Sequence, residues 1–144
     1  MSVLVTDAGF GPENWKNGLV PLAALSDQPC NIGPVAVDLS SPELSGRDWA
    51  QLRHHLPQLS MVRVHLRHFG DTASLDLARA LRAQGFAGRI RAHGAVLAQL
   101  YTLLRRAGFD EVELDREQAR RQPAEHWQFE SLWRPQPASA PPTH

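Results

Sequence analysis

Between Met61 and Leu114 the chain repeats one pattern: a short β-branched run, a turn, an amphipathic run and a glycine. Met61-Val-Arg-Val-His-Leu-Arg67 is followed by the polar turn His68-Phe-Gly-Asp71, an apolar stripe at Leu75, Leu77, Ala78 and Leu81, and Gly85. Arg89-Ile-Arg-Ala-His93 and Gly94 then precede Val96, Leu97, Leu100, Tyr101, Leu103, Leu104 and Ala107, with Gly108 before Phe109 to Leu114. Strand-like and helix-like periods that alternate over so short a distance predict β-α-β-α-β units. Parallel strands joined this way cross over right-handedly. Little else that a chain of this length can build satisfies that constraint.

Upstream, Pro34-Val-Ala-Val-Asp-Leu39 reads as a first core strand. Ser45-Gly-Arg-Asp48 fits a helix start, and Trp49, Leu52 and Leu56 carry that helix to Pro57. The fold class expected is therefore α/β: about four mostly parallel strands in β-α-β-α-β-α-β order, as a half-barrel or a small open sheet. In the Met61 strand, polar Arg63, His65 and Arg67 alternate with apolar neighbours, which predicts a half-exposed or edge strand. Asp71 or Thr72 is placed to cap the next helix and Asp115 the helix after the last core strand. Trp127 to Trp133 reads as a final strand or a packed tail. Residues 1–34 are broken by glycine and proline into an irregular arm, with short strands at Val3–Val5 and Leu19–Leu22 and with Phe10 and Trp15 pinning it to the body. Residues 35–134 form the single domain, and 135–144, rich in Pro, Ala and Ser, are expected to be disordered.

Composition removes several functions. Arg and Lys balance Asp and Glu at 15 each, so net charge gives no pull toward nucleic acid or an anionic membrane. Cys30 is the single cysteine, which excludes an intrachain disulfide and a cysteine-built zinc or iron–sulfur site. The first residues lack the charged and apolar regions of a signal peptide, and no apolar run reaches the roughly 20 residues of a membrane helix. A cytoplasmic address is the expectation. His54 and His55 are adjacent on a helix and cannot face one metal together. Arg105, Arg106, Arg120 and Arg121 read as solvated helix faces.

Open α/β sheets bind ligands outside the carboxyl ends of their strands. That rule nominates Asp38 and Ser40, then Arg67, His68 and Asp71, then His93 and Gly94, then Glu113 and Asp115. Asp71, His68 and His93 are the catalytic candidates, as an acid–base set. Arg67, Arg91 and the helix-leading Gly94 are the candidates for holding an anion. Each has an ordinary reading too, as cap, turn glycine or rim residue. No glycine-rich dinucleotide loop, Walker loop, zinc-protease motif or nucleophile elbow occurs, so neither cofactor nor metal is expected.

Phe69-Gly-Asp-Thr-Ala-Ser-Leu-Asp-Leu-Ala-Arg-Ala-Leu-Arg82 resembles a bacterial family, domain of unknown function 934. The register continues through Gly85-Phe, Gly88-Arg-Ile-Arg-Ala, Gly94-Ala-Val-Leu97, Gln99 and Gly108-Phe-Asp110, and more weakly in Gly9-Phe-Gly-Pro-Glu-Asn-Trp15 and Val20-Pro-Leu22. The resemblance implies an oxidoreductase-labelled protein of assimilatory sulfite reduction, with a sulfite reductase or another sulfur-assimilation protein as partner. Members carry Asp-Gly-Arg-Gly-Tyr-Ser after the second core strand. Here Asp71 is kept, and Thr72, Ala73, Ser74, Leu75 and Asp76 replace the rest, removing a guanidinium, a phenol and two glycines. The expectation is a non-catalytic accessory protein that binds a reductase or electron-transfer partner. Its alternatives are a small enzyme acting on an anionic substrate at the strand rim and a structural subunit that homodimerises to cover an exposed edge.

Overall fold

A computed structural model describes residues 2–27 and 33–130. Cys30, Trp133 and the tail from Pro135 lie outside them. The fold is α/β, as the alternating periods require. Among the described residues seven strands form one sheet: β1 (Val3–Thr6), β2 (Gly9–Pro12), β3 (Val20–Pro21), β4 (Val35–Leu39), β5 (Leu59–Leu66), β6 (Arg89–Gly94) and β7 (Glu111–Leu114). Their order is β2-β1-β7-β6-β5-β4-β3. β3 to β7 are parallel and sequential, while the β1–β2 hairpin adds antiparallel to β7.

Sequential parallel strands with right-handed crossovers place every connecting helix on the same side of the sheet. α1 (Gly46–His55), α2 (Thr72–Ala83) and α3 (Tyr101–Ala107) supply that layer, with α4 (Arg116–Arg121) and α5 (Ala124–Glu130) following β7. The core is where their stripes meet the inner strand residues: Leu52, Leu75, Ala78, Leu81 and Leu104 cluster with Val37, Val62, Val64, Ile90, Ala92, Val112 and Leu114. Ser45 Oγ accepts from Asp48 N at 3.0 Å to start α1, and Asp115 and Gln118 form a reciprocal capping box on α4. Gly85, at φ +90°, ends α2 with Phe86 N donating to Leu81 O.

Residues 1–27 carry short strands at Val3–Thr6 and Val20–Pro21, where two were expected, and a third at Gly9–Pro12, and they supply both edges of the sheet. Three local readings change. β5 is central, so its polar alternation marks one uncovered sheet face, and the edge-strand alternative falls away. The run after Gly94 is α-helical only from Tyr101, because Ala98–Leu100 forms a 3₁₀ turn and leaves Leu103 exposed. Trp127 lies on the helix α5, not a strand: its ring is buried edge-to-face on Tyr101, and its Nε1 donates to Gln122 O.

The link between β2 and β3 joins opposite edges of the sheet. Six strand spacings of about 4.8 Å would separate those edges by about 29 Å if the sheet were flat. Eight Cα steps from Pro12 to Val20 reach about 29 Å only at full extension. The link is not fully extended, since Trp15 Nε1 donates to Gly18 O and Gly18 turns at φ +74°. The sheet must therefore curl toward the link, as in a half-barrel. Its helix-free face is the concave one.

Candidate functional site

Alternation sets what the concave face carries. In register across the sheet it presents Asp38 from β4, Arg63 and His65 from β5, Arg89, Arg91 and His93 from β6, and Glu111 and Glu113 from β7. Arg63 lies beside Asp38 and Arg91 beside Glu111, while Arg63 and Arg91, beside each other, share Glu113. Arg63 forks onto Asp38 through Nε and Nη2, both at 2.9 Å, and its Nη1 donates to Glu113 at 3.0 Å. Arg91 Nη1 donates to the other Glu113 oxygen at 2.8 Å, and its Nε to Glu111 at 2.5 Å. Glu111 also accepts from Arg89. The β2–β3 link crosses above: Glu13 Oε1 accepts from Arg91 Nη1 at 2.8 Å, Asn14 from Arg89, and the Trp15 ring lies 5.8 Å from the Arg89 guanidinium.

Arg91 is only 1% exposed, and burial alone would favour losing its proton. Its bonds to Glu13, Glu113 and Glu111 outweigh that and hold its pKa above the ordinary guanidinium value. Two buried atoms on this face have no hydrogen-bond partner, Arg91 Nη2 and His93 Nε2. His93 stands 3.8 Å from Asp38 and edge-to-face on His65, with ring centroids 4.9 Å apart. Burial first, then the Arg63 charge, push its pKa down to about 4, so at neutral pH it is an uncharged imidazole. Chemically the face can hold a small polar group against a guanidinium and accept a proton at His93.

The rim residues separate into two sets. Asp71 occupies the N-cap position of α2 without capping it; its carboxylate instead accepts from Arg67 N, Nε and Nη2 at 2.9–3.0 Å. The Arg67 side chain holds the Asp71 carboxyl well below the usual range. Arg67 reaches Glu43 as well. His68 points outward, its Nδ1 3.3 Å from Phe69 O. His93 faces Asp38 on the concave side, so the structure pairs it with Asp38 and leaves Asp71 with Arg67. Gly94, at φ +96°, has no room for a Cβ, which would lie 2.6 Å from Leu66 O and 2.7 Å from the His65 ring. Behind it, Ala95 N donates to Leu66 O and Val96 N to Gly94 O.

Sequence reasoning named Asp38, Glu113, Arg91 and His93, but treated Arg63 and His65 as strand polarity and passed over Glu13, Arg89 and Glu111. The available signal was Arg63 on β5 and the alternating Arg89 and Arg91 on β6, matched by the alternating Glu111 and Glu113 on β7. Arg105 is not a solvated residue either: it pairs with Asp7 at 3.1 Å and donates to Phe109 O. An open depression of about 500 Å³ lies at the other ends of the strands, lined by Arg82, Gly88, Arg89, Arg105 and Asp110. It is the end opposite the one where α/β sheets bind ligands. Among the described residues no group of three or more His, Cys, Asp and Glu is arranged to hold a metal. Nor is any helix long and apolar enough to cross a membrane.

The model of a family described as "Bacterial protein of unknown function (DUF934)" matches residues 43–143. The chain belongs to that family, and the resemblance carried by Phe69–Arg82 and the glycines that follow is correct. No curated protein and no solved structure matches it.

Proposed function

We propose that this protein is a non-catalytic accessory protein that acts by binding a partner, a reductase or electron-transfer protein of assimilatory sulfur metabolism. The pathway in this reading is what the family resemblance implies. The observation that carries the binding role is a pair of exposed apolar side chains, Phe69 at 61% and Leu103 at 42%. Leu103 lines a small crevice with Leu66, Gly70, Leu75 and Leu100, and Phe69 precedes Gly70 in the chain. Phe69 sits on the β5–α2 turn, just before the Thr72–Asp76 stretch that replaces the polar motif of the family, and Leu103 sits on α3. Large apolar groups placed in water beside the ligand end of an α/β sheet favour contact with another protein.

Affinity capture from a sulfite-reducing bacterium, with identification by mass spectrometry, tests the reading. A sulfite reductase subunit or its electron donor should be retained by the wild type and lost with Phe69→Asp plus Leu103→Asp. Equal capture by both proteins, or no reductase component at all, removes it. A second reading, a small enzyme acting on an anionic substrate, is favoured by His93: an uncharged imidazole with a free Nε2 beside Asp38 and Arg63 has the makings of a general base.

A further inference from the structure

The concave face holds an arginine that is incompletely used. Arg91 Nη1 serves Glu13 and Glu113, Nε serves Glu111, and Nη2 serves nothing, although the side chain is 1% exposed. Guanidinium groups bind carboxylates best through two parallel N–H bonds. Glu13 does not make the second one, and its other oxygen accepts from Trp15 N at 2.9 Å. The Glu13 side chain is 30% exposed and lies between Arg91 and water. It is thus a single-bonded carboxylate at the mouth of a two-bond receptor.

We propose that Arg91 is the receptor of a small-monocarboxylate site, and that Glu13 is its built-in competitor. A bound ligand takes the place of Glu13 and spans Nη1 and Nη2, while the Glu13 side chain rotates into solvent. The exchange is neutral in charge. Glu13, Asp38, Glu111 and Glu113 face Arg63, Arg89 and Arg91, so one carboxylate leaves as one arrives and the buried excess stays the same. A dianion would add negative charge against Glu111 and Glu113 and is disfavoured. His93, two residues along β6 on the same face, is uncharged at neutral pH and adds no positive charge to the site. This site is independent of the Phe69 patch and stands or falls without it.

Titration of ¹⁵N-arginine-labelled protein with sodium acetate, read at the Arg91 side-chain resonances, tests the proposal. Removing a tethered competitor, whose effective concentration is in the millimolar range or above, should tighten acetate binding about tenfold in Glu13→Ala. Glu13→Gln, which keeps an acceptor for Trp15 N, should tighten it in the same direction and stands in if the alanine variant does not fold. Arg91→Lys keeps the charge without the fork and should lose most of the affinity, read at the side-chain resonances of Arg63 and Arg89, which share Glu113 and Glu111 with it. Inorganic phosphate should bind more weakly than acetate. The proposal is overturned if folded Glu13 variants show no saturable Arg91 shift up to about 0.1 M acetate, where a millimolar site is filled. It is also overturned if they bind acetate no better than wild type, or if phosphate binds more tightly.

Discussion

His93 shows how much one residue's surroundings decide. Imidazole is ordinarily half-protonated near pH 6.5, yet here burial and the neighbouring Arg63 lower the pKa to about 4. Unfolded chain therefore binds a proton between those two values that native protein refuses. Stability is intact above about pH 6.5, falls as the pH drops through that window, and has lost the full term below about pH 4. The loss is on the order of 3 kcal/mol. Urea unfolding of wild type against His93→Gln between pH 7 and 4 should show a shallower pH dependence for the variant; identical slopes would remove His93 as the cause. Asp71 acts in the same direction at lower pH. Its carboxyl is held far down by Arg67, so its contribution is present above the ordinary carboxylate pKa and disappears only in stronger acid. Chain order placed His93 at a strand end, but not against Asp38, because nothing within β6 itself shows which residue of β4 faces it.

At the scale of elements, Arg82 ties the end of α2 to two later segments. Its Nη1 donates to Phe86 O and Gly88 O, and its Nε and Nη2 both reach Gly108 O, with Asp110 completing the set at 2.7 Å. Asp110 in turn accepts from Ile90 N, the second residue of β6. Gly88 and Gly108 leave no space for a Cβ, which would meet Ser60 O and Phe86 in one case and Arg82 in the other. Replacing Arg82 with Met strands three carbonyls in a partly buried place and should cost about 2–3 kcal/mol by denaturant midpoint. Arg82→Lys should recover little, since one ammonium cannot span those acceptors. A loss below about 0.5 kcal/mol, the range of an ordinary surface change, would contradict the lock. The residues that carry the family likeness, Arg82, Gly85, Gly88, Gly108 and Asp110, are largely those of this joint. That is why the likeness reported the scaffold faithfully: it was read at the end of the sheet that holds the strands together.

For the whole molecule the decisive feature is that residues 1–27 close both flanks of the sheet. The hairpin is fastened by Asp7, which accepts from Tyr101 Oη at 2.5 Å and from Arg105. Burial first, and then that bond, raise the Tyr101 pKa above its ordinary value. Asp7→Ala should free the β1–β2 hairpin before the parallel strands, a difference visible as faster amide exchange at Leu4 and Val5 with β5 and β6 unchanged. Uniform acceleration across the sheet would mean that the hairpin does not open separately.

The starts of α1, α2 and α4, the glycine stops, the strand period and the α/β class were legible from the chain, because each depends on residues within about one turn or one strand. The curl of the sheet, the charged concave face and the placement of Glu13 over Arg91 were not. Those two residues are 78 positions apart, and what joins them is a strand order and a register that no local spacing encodes. A charge read along the chain has a sign and an address; only tertiary structure gives it a partner.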